Sequence, residues 1–291
     1  MEYDFPLSPP IEKRETINVE LQELFSVAKV DYTRLYIADD LCGCQDYLSR
    51  YELRAEDYLQ FAKCDFRSGA DARARINAVT NAKRAIDCQI DNILFSLRYN
   101  FKKEPQKIVE RMMAMYCDGE SKKTLKSALK LALIASIDLS PMVLISDARK
   151  LRHSVEHTYV VPKQRDVETA IEVAELFIGT THDRRLDAIN FRISDTKLEA
   201  TNKYDRILGI EYNNDDDCSE PASLRYIELS GNDMKEWVCE LNPDSMEYWL
   251  CVRMSFLKKS DGDFLNTFIE LLKLAKKDIP YDRIKIKENN C

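Results

Sequence analysis

Leu151-Arg152-His153-Ser154-Val155-Glu156-His157-Thr158-Tyr159-Val160-Val161-Pro162 holds two of the three histidines in a chain of 291 residues. Histidine is the side chain whose ordinary pKa suits proton transfer near neutral pH, so two of three beside an arginine and a glutamate mark this window for chemistry. On a helix His153 and His157 lie four apart and share a face. Arg152 precedes His157 by five residues, about 140° around an ideal helix. If the helix ends here, both can still reach one pocket. Val160-Val161-Pro162 is expected to supply that end, because the residue before a proline is pushed out of the helical region.

The window supports three readings. As Arg-x4-His-x-Tyr it suits metal-independent RNA cleavage. His157 is then general base or acid, and the Arg152 guanidinium stabilises the phosphorane as charge builds. His153, Glu156 and Tyr159 are the neighbours of this pair in the window. A second acid is needed for the leaving 5′-oxygen, and a symmetric dimer supplies one by bringing two windows together. As His-x-x-Glu-His the same residues suit a zinc hydrolase. His153 and His157 would bind the metal, Glu156 would activate water, and a downstream carboxylate such as Glu228, Glu236 or Glu240 would be third ligand. The early helix exit disfavours this, since a zinc helix is better continued. In the third reading the histidines are hydrogen-bonded surface or interface residues without chemistry.

Outward from the window the pattern is helical. Ser140-Pro141 reads as the start of the helix that carries the window. A further helix is expected over about Asp166 to Ile178, with Val167, Ala170, Ile171, Ala174, Phe177 and Ile178 on one face. Upstream, Asp71 opens the clearest helix, with Ile76, Val79, Ile86, Ile90, Ile93 and Leu97 along one stripe. Its first half carries Arg73, Arg75, Lys83 and Arg84 with no acid between them, either a solvated basic face or a phosphate-contacting one. Ser121 to Ile137 is another helical stretch, with Lys122, Lys123, Lys126 and Lys130 among its apolar positions. Residues 71–180 are therefore compatible with an antiparallel set of four helices.

The ends differ. Pro6, Pro9 and Pro10 make residues 1–15 an extended arm. Thr16 to Ala62 has a composition that suits helix. After His182 the texture changes. Segments Ile189–Ile193, Ile207–Tyr212, Leu224–Leu229 and Tyr248–Phe256 read as strands, 213–220 as an exposed loop, and Gly262–Lys276 as helix. The expected class is α+β: a helical domain over 16–182, then a domain over 186–291 with a mostly antiparallel sheet and no catalytic constellation.

Charge and cysteine usage narrow the class. The net charge is −7 and the pI about 5.3, which argues against a protein that coats polyanions in general. From Leu186 onward there are 15 basic and 21 acidic residues, so nearly all the net negative charge lies there and basic patches belong to the N-terminal part. Nine cysteines, an odd number without paired zinc spacing, read as reduced thiols of a cytoplasmic protein. Met1 to Pro6 has neither the basic nor the apolar region of a signal peptide. The most apolar stretch, Ala128 to Ile145, contains Lys130, Asp138 and Pro141, so it reads as a buried helix broken by a turn rather than a membrane span. No cofactor or resident metal is expected.

The segment 151–162, followed by Val167 to Ile178, resembles the C-terminal half of a HEPN domain, the helical fold named for higher eukaryotes and prokaryotes nucleotide-binding. Ala74 to Asp87 resembles the long early helix of such domains. The likeness spans about residues 70–180. The form ending His-x-Tyr resembles toxins paired with minimal nucleotidyltransferase antitoxins. The resemblance implies a homodimer with a composite, metal-independent ribonuclease site in which Arg152 and His157 match the motif pair. It implies that Tyr159 is a target for adenylylation by an antitoxin, and it suggests stress response or defence against phage. Arg73, Lys83, Arg84 and Lys150 are the expected RNA contacts. His153 departs from the family, where a small polar residue, often asparagine, follows the arginine. The C-terminal α+β half is not typical of the small toxins. Many HEPN domains keep the fold without cleaving RNA, so a scaffold that binds a partner or nucleotide is the alternative.

Overall fold

The computed structural model describes residues 13–39, 51–69, 71–102, 105–117, 128–139, 142–182, 191–195, 206–212, 222–257, 262–276 and 278–287. In chain order the elements are β1 (Lys13–Asn18), α1 (Leu21–Val27), β2 (Leu35–Asp39), α2 (Ala55–Ser68), α3 (Ala72–Ser96), α4 (Gln106–Tyr116), α5 (Leu129–Ser136), α6 (Met142–His157), α7 (Gln164–His182), β3 (Phe191–Ser194), β4 (Arg206–Tyr212), β5 (Ala222–Ser230), β6 (Asp233–Leu241), α8 (Met246–Phe256), α9 (Gly262–Leu274) and β7 (Ile286–Lys287). The chain is mixed α+β. It divides into two compact units, one of Gln45–Leu186 and one of Met1–Cys44 with Asp187–Cys291.

The second unit holds a seven-stranded sheet in the order β1-β6-β5-β4-β3-β2-β7. β1 runs parallel to β6 and β2 parallel to β7. The other four pairings are antiparallel, so the sheet is mixed. This corrects the expectation for the N-terminus. Arm and helix were expected, but Lys13–Asn18 and Leu35–Asp39 are strands. Partner strands far along the chain satisfy these backbones, and short segments follow such pairing rather than local propensity. Asp31 breaks the chain between α1 and β2. Its carboxylate accepts from the Thr33 hydroxyl at 2.7 Å and the Thr33 N–H at 3.0 Å. These bonds, the hydroxyl's first, hold its pKa below the ordinary 3.8.

Tyr248–Phe256, expected as a strand, is helix α8. The Ser245 hydroxyl accepts from the Tyr248 N–H at 3.3 Å and caps it. Tyr248, Trp249, Leu250, Cys251, Val252, Arg253 and Met254 are all buried. A helix covered on every side is apolar all round, so it shows no helical period and looks like a strand. Aromatic contacts hold the core: Phe191 meets Phe264 edge-on at 5.5 Å, Tyr226 stacks on Trp237 at 5.3 Å, and Tyr32 on Phe268 at 6.3 Å. Burial pushes the Cys239 thiol up to about 12 and raises Cys251 as well, so neither is a ready nucleophile.

The opposite sheet face carries a chain of charges across five strands. Arg192 pairs with Glu211 at 3.2 Å, Glu211 with Arg225 at 3.0 Å, Arg225 with Glu236 at 3.0 Å, and Glu236 with Arg14 at 3.0 Å. Glu236 is buried, so its desolvation is offset by two guanidinium groups. Gly209 makes this face possible. A Cβ there would lie 2.7 Å from the Phe191 carbonyl oxygen and 2.9 Å from Arg192 Cγ. Gly209→Ala should therefore cost about 1–3 kcal/mol by overpacking, read as a lower urea midpoint. An unchanged midpoint would show that β3 and β4 can part at no cost.

Among the described residues of the other unit, every regular element is a helix. α3 is its spine and packs against α2, α5, α6 and α7. The Asp71 carboxylate caps it by accepting from the Ala74 N–H at 2.8 Å. Ala74, Ala78, Val79, Ala82, Ala85, Ile86, Ile90, Ile93 and Leu94 are buried, so alanines widen the expected stripe and let neighbouring helices approach. Polar ties fix the partners: Gln89 donates to Thr181 of α7 at 2.9 Å, Asn81 to Asp65 of α2 at 2.8 Å, and Lys130 of α5 pairs with Asp91 at 2.8 Å. Burial pushes Cys88 of α3 up to about 11. Most of the lysine-rich stretch before α5 lies outside the described residues.

Candidate functional site

α6 ends at His157, as the window's composition predicts. The Thr158 N–H donates to the Ser154 carbonyl at 3.0 Å, and the Thr158 hydroxyl donates to the same oxygen at 2.6 Å. Tyr159 then turns the chain with φ of 56°. That is left-handed backbone, where a helix end normally places glycine. A tyrosine there carries strain of order 1–2 kcal/mol, and such strain collects at functional sites. The ring is 86% exposed, so packing does not account for the residue. Val160 and Val161 are also exposed.

His153 and His157 are both exposed. Their ring centroids lie 4.3 Å apart with planes tilted by 45°. Spacing of four residues therefore does place the two imidazoles together at the helix end. Arg152 lies in the same last stretch of α6. Val155 is buried and anchors the window to the core, and Glu156 is half-buried.

Positive charge gathers around the exit. Arg75 of α3 donates to the Pro162 carbonyl at 2.9 Å, which ties the basic start of α3 to the segment leaving the window. Lys163 and Arg165 are exposed at the start of α7, whose first N–H groups add a partial positive charge. Neither cation was among the expected RNA contacts. Their signal was position, directly after the proline that ends the window. Of the four expected contacts, Arg73, Arg84 and Lys150 are exposed. Lys83 forms an ion pair with Asp87 one turn on, which neutralises much of its charge. Arg84 reaches Asn81 at 3.4 Å.

Among the described residues no group of three or more His, Cys, Asp and Glu converges to hold a metal. Of the carboxylates offered as third zinc ligand, Glu236 is taken up by Arg14 and Arg225, and Glu228 pairs with Lys29 at 3.7 Å. No described helix is long and apolar enough to cross a membrane. No family model, no curated protein and no solved structure matches the chain.

Proposed function

We propose that this protein is a metal-independent endoribonuclease of the HEPN type, working at the Arg152–Tyr159 window. The observation that carries this is the pair of exposed imidazoles at the end of α6, beside a segment that Arg75 holds against the basic start of α3. The reaction is transesterification. The ribose 2′-oxygen attacks phosphorus, a P–O2′ bond forms, and the P–O5′ bond breaks. His157 takes the 2′-proton, and an acid from a second copy of the window returns one to the 5′-oxygen. Arg152 neutralises the phosphorane's added charge. Lys163, Arg165, Arg73 and Lys150 steer the RNA backbone without reading its sequence. Glu156 and His153 orient the pair. A homodimer, an antitoxin-like regulatory partner, and a role in stress or phage defence belong to the same proposal.

RNA incubated with the protein in excess chelator should be cut. Cleavage that appears only when a divalent metal is restored would overturn the proposal and return the window to the zinc reading. A second reading, a scaffold that binds through this face without cutting, is favoured by the exposed apolar run Tyr159-Val160-Val161. It predicts a stable complex with RNA or protein and no cleavage under any metal condition.

A further inference from the structure

We infer that the His153–His157 pair is a two-ligand site for a transition-metal cation, which switches the window off rather than powering it. Imidazole nitrogen suits zinc, nickel and copper. Two histidines one helical turn apart can share one ion, because each needs its nitrogen only about 2.0–2.1 Å from the metal. Here both rings are exposed, so neither pays to leave a packed site. Their centroids lie 4.3 Å apart with the planes tilted by 45°, so modest side-chain rotation brings a nitrogen of each onto a common ion. The pair sits at the C-terminal end of a sixteen-residue helix, where the backbone dipole favours a cation. The described structure offers the ion no third protein ligand, and water fills the remaining positions. Such a chelate differs from a hydrolytic zinc centre, which needs three protein ligands and an activated water.

The inhibitory part rests on the ribonuclease proposal. A metal on His157 occupies the lone pair that would take the 2′-proton, and its charge holds the ring in place. The binding part does not depend on that proposal, because His153 and His157 would chelate whether or not RNA is cut.

The probe is Ni²⁺, added to the full-length reduced protein and followed by titration calorimetry. Wild type should bind one ion per chain at this site. His153→Gln and His157→Gln should each weaken that binding by at least about tenfold, with unchanged far-UV circular dichroism. Equal binding by wild type and both variants would overturn the site, because cysteines elsewhere would then be the ligands. In a parallel cleavage assay, Ni²⁺ at saturating concentration should stop the wild type, and chelator should restore it. Stimulation by Ni²⁺ would overturn the inhibitory role. Absence of cleavage in chelator would sink the ribonuclease proposal while leaving the calorimetric result to stand or fall alone.

Discussion

Arg152→Ala and His157→Ala should each lower single-turnover RNA cleavage by about 10²–10⁴-fold, the range expected for loss of a general base or of transition-state charge stabilisation. The fold should survive. His157 is exposed at the last position of α6, and its ring touches His153 rather than the core. The loss should fall on the chemical step, since neither residue is needed to collect the RNA backbone. Lys163→Ala and Arg165→Ala should behave oppositely. They should weaken RNA binding a few-fold and flatten its salt dependence, with the bound rate unchanged. His157→Ala cleaving at the wild-type rate would remove the window from the chemistry altogether.

Trp249→Ala should cost about 3–5 kcal/mol of stability, as removal of a large buried aromatic does. The indole is fully buried in α8 and meets Tyr248 edge-on at 5.2 Å. Its Nε1–H donates to the Pro243 carbonyl at 2.8 Å, just ahead of the Ser245 cap. The side chain therefore fills the core of the sheet unit and also fixes the turn into its own helix. Trp249→Phe keeps most of the bulk and loses the hydrogen bond, so it should cost distinctly less. Urea unfolding of the two variants checks both statements. Equal costs would show that the Pro243 contact, rather than the volume, is what α8 depends on.

These two residues also show what the sequence could and could not convey. The helix bearing the window was readable because Ser140-Pro141 marks a start and Val160-Val161-Pro162 closes the run. α3 was readable for a similar reason, with Asp71 as a recognisable cap. β3, β4 and β5 were readable from their β-branched and aromatic content around Ile193, Ile210 and Tyr226. Trp249 misled because a helix buried on all sides has no polar face to set the period. β6 was missed although its hairpin signal was present. Ser230 pairs with Asp233 across Gly231-Asn232, and Gly231 has φ of 64°, the glycine-first arrangement of a two-residue hairpin turn. β1 and β2 were not readable at all. Their strand state comes from β6, β3 and β7, which lie more than 150 residues away. At the site, residue types and spacing were enough to bring His153 and His157 together. The cations at Lys163 and Arg165 acquire meaning only once Arg75 is known to hold Pro162.

The chemistry of the product ends tests the central claim most directly. Short RNA cut by the protein in chelator should end in a 2′,3′-cyclic phosphate on one fragment and a 5′-hydroxyl on the other, read by mass spectrometry. Those ends follow from attack by the 2′-oxygen. Fragments carrying a 3′-hydroxyl and a 5′-phosphate would mean that water attacked instead, and would contradict the roles given to Arg152 and His157.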